Sequence, residues 1–165
     1  MSRGKPIRAY DYVNHPYDTV RDALHDDARE IFLQATRSAA SRAGSVAAGL
    51  RINVGGLEVA TDIAITVYRV EDVDSGPLDG PATLVELEWE AAQRPGLFPL
   101  MKASLWAYAL TGTETQLDFD GLYQPPLGLV GAAVDAAVGH RIAEASVHRF
   151  ITDVASHLRT SLDTA

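Results

Sequence analysis

Thr113-Glu-Thr-Gln-Leu-Asp-Phe-Asp-Gly-Leu-Tyr123 runs through Gln124-Pro125-Pro126 into a long apolar segment, residues 127–159. In the first part Leu117, Phe119 and Gly121 alternate with Glu114, Gln116, Asp118 and Asp120, the two-residue period of a strand with one wet face. In the second, Ala143, Val147, Phe150, Ile151, Val154 and Leu158 recur at steps of three and four, the stripe of a core-facing helix. A terminal helix that follows strands must cover something. The concave face of a curved antiparallel sheet is the natural partner, and a helix laid on such a face can leave a hollow beneath it.

Upstream, the same alternation repeats. Residues 100–110 set Met101, Ala103, Leu105, Ala107 and Ala109 against Lys102, Ser104, Trp106 and Tyr108. Residues 83–91 put Val85, Leu87 and Trp89 inward and Glu86, Glu88 and Glu90 outward. Residues 57–70 carry Leu57, Val59, Thr61, Ile63, Ile65 and Val67 on one face, and residues 46–54 carry Val46, Ala48, Leu50, Ile52 and Val54. Gly55-Gly56 joins these two as a hairpin, because both glycines can take positive φ. The stretch Asp72-Val-Asp-Ser-Gly-Pro-Leu-Asp-Gly-Pro81 is a loop by composition. Residues 7–13, Ile-Arg-Ala-Tyr-Asp-Tyr-Val, form a first strand whose facing stays open.

Between the first strand and the ladder lie two short helices. Asn14 caps the first, with Pro16 at its start. Asp26-Asp27 caps a second over residues 28–41, which Gly44 ends. The expected domain is therefore α+β, one unit over residues 1–165, with about six antiparallel strands around a long C-terminal helix. Within that helix Val130, Val134 and Val138 point about 120–150° away from the later stripe at roughly 100° per residue. Either the helix kinks near Gly139, or its first half packs elsewhere, over a cavity mouth or a partner subunit; the plainer alternative is a continuous helix with an alanine-rich first half.

Composition narrows the functional classes. The hydrophobic fraction is 47%, the charged fraction 22% and the formal net charge −8. Scattered basic residues in an acidic chain argue against a nucleic-acid partner. No segment has the length of a membrane span, and Met-Ser-Arg-Gly-Lys-Pro is followed by no apolar run of a secretory signal. Cysteine is absent, which removes disulfides and thiolate chemistry and suits a cytoplasmic protein.

The inward face combines large side chains with small or hydroxyl-bearing ones: Thr61, Thr83, Ala103, Ala107, Thr115 and Gly121. The small residues either leave room for a ligand or let the helix approach closely. A pocket of this kind would be apolar with a few convergent polar groups. Its expected ligand-binding residues are Thr61, Ile63, Ile65, Val85, Leu87, Trp89, Met101, Leu105, Leu117, Phe119, Tyr123, Val134 and Val138.

The element order, the Asn14-His15-Pro16…Val20 entry and the Phe119…Tyr123-Gln124-Pro125-Pro126-Leu127-Gly128 exit together resemble the START-like superfamily, also called SRPBCC. That group includes birch pollen allergens and polyketide cyclases. The resemblance covers nearly the whole chain through structural motifs of low specificity. It implies a helix-grip fold enclosing a cavity for an apolar or amphipathic small molecule, and no shared reaction.

Catalytic constellations are weak. His140, Glu144 and His148 share a helix edge at four-residue steps, a spacing that suits a metal but equally a solvated face. His25-Asp26-Asp27 with Glu30 reads as capping. No phosphate-binding, dinucleotide or nucleophile-elbow glycine motif is present, so neither a metal nor a cofactor is expected. The leading expectation is a non-catalytic carrier or sensor for a hydrophobic small molecule or lipid. The alternative is an enzyme of the polyketide cyclase or dehydratase type using Tyr10, Asp11, Tyr12, Arg69 or Tyr123. A further alternative is an interaction module with a filled core, for which Trp106 and Tyr108 on the outer face suggest a homodimer.

Overall fold

The computed structural model describes residues 5–49, 63–91, 100–124 and 136–164. In chain order these form β1 (Lys5–Val13), α1 (Tyr17–Gly49), β2 (Ile63–Val73), β3 (Ala82–Ala91), β4 (Leu100–Ala109), β5 (Thr115–Gln124) and α2 (Ala136–Asp163). The strands make one curved antiparallel sheet in the order β1-β5-β4-β3-β2. Both helices lie on its concave side, α2 nearer β1 and β5, α1 nearer β2, and they pack along each other.

The alternating sequence is what allows this arrangement. Val85, Leu87 and Trp89 of β3, Met101 and Leu105 of β4, and Leu117 and Phe119 of β5 are all buried, while their neighbours in sequence face water or the sheet's outer surface. Burial of such side chains stabilises by roughly 1.5–3 kcal/mol each. On α2 the stripe Ala143, Val147, Phe150, Ile151, Val154 and Leu158 is buried as its spacing requires. Among the described residues the helix runs unbroken from Ala136 through Gly139; the first half expected over residues 127–135 lies outside them.

Three sequence expectations need correction. Five strands stand among the described residues where about six were expected, because Val46 to Gly49 belong to α1 rather than to a strand. The rest of that predicted strand, the Gly55-Gly56 hairpin and residues 57–62 lie outside the described residues. The Val-Ala alternation at 46–48 misleads because alanine suits a helix best of all, and a single Gly44 costs a helix interior only about 1 kcal/mol. The second helix is accordingly long rather than short. The break before it is real: Asp27 has non-helical angles, φ −132° and ψ 18°, which kink α1 where the Asp-Asp pair predicted a boundary.

The third concerns β2. Its register against β3 shifts between Val67 and Arg69, so one extra residue bulges there. The bulge puts Tyr68 and Arg69 together on the outer face, with bonds to Glu88 and Glu86 (both 3.1 Å). Arg69, a candidate for the interior, is therefore an outer-face residue. A bulge changes which side chains face the core from that point onward, and Val70 resumes the inward set opposite Val85.

Candidate functional site

Strand registers order the concave face into cross-strand rows. One end row is Ile65, Trp89, Met101 and Tyr123 with the exposed Lys5 of β1; the next is Val67, Leu87, Ala103 and Gly121 with Ile7 of β1. The central row is Val70, Val85, Leu105 and Phe119 with Ala9, and the fourth is Asp72, Thr83, Ala107 and Leu117 with Asp11. Thr115 and Val13 close the far end.

The middle is packed. Phe150 of α2 has its ring centroid 5.0 Å from Trp89, 5.7 Å from Phe119 and 5.9 Å from Phe32 of α1. Aromatic pairs at these distances add to their burial energy. Gly121 contributes by what it lacks: a Cβ there would sit 2.7 Å from the Phe119 ring and 2.8 Å from the Met101 sulfur. The space that a small residue was expected to leave is filled by its neighbours.

At the far end every polar group is tied. The Thr83 hydroxyl donates to Asp72 (2.8 Å) and meets the Tyr17 hydroxyl (2.8 Å), while the His25 ring reaches Asp72 at 2.9 Å. Burial alone would raise the Asp72 carboxyl, but the bonds from His25 and Thr83 outweigh it and hold the group below its ordinary value. Tyr17 is pushed up, chiefly by burial. Thr115 donates to the His15 carbonyl at 2.8 Å. Arg159, near the end of α2, bonds Asp11 (2.9 Å) and the Tyr12 carbonyl and lies over the Tyr12 ring. His15 pairs with Asp163 at 2.8 Å. Thr83 and Thr115 thus lock the end of the sheet and offer a ligand nothing.

The opposite end differs. Tyr123 is buried at 1% exposure, and burial pushes its phenol up. Beside it lies the His140 ring of α2, 6.3 Å away between centroids and inclined at 52°. The Nδ1 atom of His140 is buried and has no hydrogen-bond partner. An apolar row closed by a neutral phenol and an unengaged imidazole nitrogen can accommodate an apolar body that carries a hydrogen-bonding group.

The sequence matches no family profile, and no curated protein resembles it at a significant level. Solved structures do resemble it in shape. A hypothetical protein from Helicobacter pylori superposes with a TM-score of 0.50 at 7% identity, over 94% of this chain and 89% of its own. A START superfamily protein from Mycobacterium smegmatis gives a TM-score of 0.48 at 9% identity, covering 95% and 99% of the two chains. The Zhui aromatase/cyclase from a Streptomyces species gives 0.46 at 14% identity, covering 96% and 95%. With the antiparallel sheet and the terminal helix laid across it, the architecture is decided. The chain has the helix-grip fold.

Within this fold the expected site residues fall into three groups. Val85, Leu87, Trp89, Met101, Leu105, Leu117, Phe119 and Tyr123 are buried, and Ile65 is half-buried beside Trp89. Ile63 belongs to β2 and Val138 to α2 by their backbones. Thr61 and Val134 lie outside the described residues. Of the residues named for an enzyme, Tyr10 and Tyr12 are exposed on the outer face and Arg69 is on that face as well. Asp11 is held by Arg159. Tyr123 alone of the five is buried on the concave side.

His140 extends the apolar stripe of α2 by one step, since the intervals along 140, 143, 147, 151, 154 and 158 are all three or four. Glu144 and His148 are exposed. Among the described residues no three His, Asp or Glu side chains are grouped to hold a metal. His25 engages Asp72 of β2 rather than its neighbours in the Asp-rich turn.

The outer face is polar and self-paired. A depression of about 610 Å³ is lined there by Tyr68, Glu86, Glu88, Lys102, Asp120 and Leu122 among others. Arg69 engages Glu86, the Tyr68 hydroxyl engages Glu88, and Arg8 engages Asp120. Such a surface is a solvated charge lattice rather than a pocket for an apolar guest. Trp106 and Tyr108 do face outward, as expected. Tyr108, however, is 8% exposed and donates to Asp118 at 2.5 Å; burial and that carboxylate push its phenol up to about 12. No described helix is long and apolar enough to cross a membrane.

Proposed function

We propose that this protein binds a hydrophobic small molecule between the concave sheet and α2, at the Trp89–Met101–Tyr123 end. The observation that carries this reading is the asymmetry of the polar groups. The buried side chains Ile65, Trp89, Met101 and Tyr123 are apolar apart from an indole N–H and one phenol oxygen, with the row's charge, Lys5, exposed at its β1 edge, while the tied threonines and carboxylates sit at the other end. The sheet and α2 supply apolar walls, and the packed Phe32, Phe119 and Phe150 cluster supplies the floor. With Arg69, Tyr10, Tyr12 and Asp11 away from this region or engaged elsewhere, binding rather than turnover fits the side chains best. A carrier or sensor is the resulting role.

Native mass spectrometry of the purified protein tests it directly. The expected result is a co-purifying apolar compound, displaced by added fatty acid or aromatic dye. A preparation that carries no guest and also takes up neither probe would dispose of the carrier reading.

One observation favours a second reading. Tyr123 and His140 form a phenol–imidazole pair at the same end, and two such groups can move a proton on a bound substrate. A cyclase or dehydratase of the polyketide type would use them so. In that case Tyr123→Phe lowers turnover of a poly-β-ketone substrate by about 10²-fold or more, and an unchanged rate would exclude the phenol from the chemistry.

A further inference from the structure

Among the described residues His140 Nδ1 is the buried side-chain atom without a hydrogen-bond partner, and it sits next to the proposed site. Burying an imidazole nitrogen without a partner is unfavourable, and native interiors seldom leave such atoms unmatched. Elsewhere on the concave side the polar atoms find partners in the chain: Thr83 with Asp72 and Tyr17, Thr115 with the His15 carbonyl, Asp11 with Arg159. Among the fully buried side-chain atoms of the described residues, the exception is the ring that lies 6.3 Å from Tyr123. The Tyr123 phenol is neutral at ordinary pH, since burial raises it further above its usual value.

From this juxtaposition we infer that the guest is an apolar molecule bearing one neutral oxygen function, a hydroxyl or a carbonyl, which is seated against His140 Nδ1 beside Tyr123. The inference rests on the carrier reading and adds the chemical class of its ligand. A hydroxyl serves either tautomer of the imidazole: it donates to a bare nitrogen or accepts from a protonated one. A carbonyl accepts from Nδ1–H. A carboxylate is disfavoured among Ile65, Trp89 and Met101, because the cationic side chain of the end row, Lys5 opposite Tyr123, is exposed to solvent rather than buried with them. A plain hydrocarbon fits the walls and leaves the nitrogen unmatched.

Isothermal titration calorimetry with three probes of one size separates these cases: naphthalene, naphthol and naphthoate. The wild-type protein should bind naphthol roughly tenfold tighter than naphthalene, the factor of one well-made hydrogen bond, and naphthoate weakest. In His140→Leu the preference for naphthol should vanish while naphthalene affinity is kept; Tyr123→Phe should reduce it in part. An acetylnaphthalene probe then tells the carbonyl case from the hydroxyl case. Equal binding of naphthol and naphthalene by the wild type leaves the carrier reading standing and overturns this inference. Tightest binding of naphthoate overturns it too, by assigning an anionic guest. If His140→Leu keeps its thermal midpoint but loses naphthalene as well, His140 is a wall residue and the inference fails. No uptake of any probe removes the carrier reading itself.

Discussion

The two ends of the concave face are built from similar material and finished in opposite ways. At the Thr83–Thr115 end, hydroxyls, a carboxylate and two tyrosine or histidine rings are matched atom for atom across β2, β3, β5 and α1. At the Tyr123–His140 end, a phenol and an imidazole share a buried corner, and one nitrogen has no match. Polar groups in a low-dielectric interior stabilise when fully matched and cost free energy when not. The first end therefore holds the fold, and the second carries the cost of one unmatched polar atom.

The floor between the ends gives the largest expected effect. Phe150→Ala removes the ring shared by Trp89, Phe119 and Phe32 and should cost roughly 3–5 kcal/mol in a denaturant titration. A loss below about 1 kcal/mol would mean that the middle is not packed as described and that the two ends are not separate.

A matched pair of substitutions tests the contrast itself. Thr83→Val keeps the shape but strands the Tyr17 hydroxyl and one bond of Asp72, and should cost about 1–3 kcal/mol. His140→Leu removes the unmatched nitrogen and should leave stability unchanged or raise it. Equal losses in both variants would show that His140 is as well satisfied as Thr83, and the contrast would collapse.

The smallest effect concerns acid. Asp72 is held below its reference value of 3.8 by His25 and Thr83, against the opposing pull of burial. A carboxyl lowered in the folded state contributes stability that is complete above the unfolded value and is lost as pH falls through the folded one. The wild type should accordingly lose its advantage over Asp72→Asn as the pH is taken below about 4. The loss is modest, because the side chain is 51% exposed. Parallel acid-denaturation curves for the two proteins would remove Asp72 from the lock.

Much of this architecture was legible in the sequence because strands with one wet face announce themselves. Val85-Glu-Leu-Glu-Trp89 can hardly be read otherwise, and its facing proved correct. The break at Asp26-Asp27 was visible as capping chemistry. The strand at 46–49 was misread because Val-Ala-Ala-Gly alternates only trivially, and alanine carries no preference for a face. Arg69 was misplaced because a bulge leaves no mark in a run such as Thr66-Val-Tyr-Arg-Val70. The site was less legible than the fold. Which threonines are tied depends on partners far along the chain: Thr115 with residue 15, Thr83 with residues 17 and 72. His140 could have been found by extending the α2 stripe back by one step of three, a signal that its charged neighbours obscured.

The position of β1 has a consequence for how the chain comes together. Among the described residues its ladder is made with β5 alone, Lys5 opposite Tyr123 and Val13 opposite Thr115, and its ion pairs reach Asp120 and Arg159. β1 therefore waits for about a hundred further residues of synthesis before its docking edge exists. Contacts so distant in sequence slow folding and lengthen the interval in which a bare strand can meet the wrong neighbour. The arginine and lysine along Lys5-Pro-Ile-Arg8 supply charge, and Pro6 a missing donor, on the segment that must stay solitary the longest.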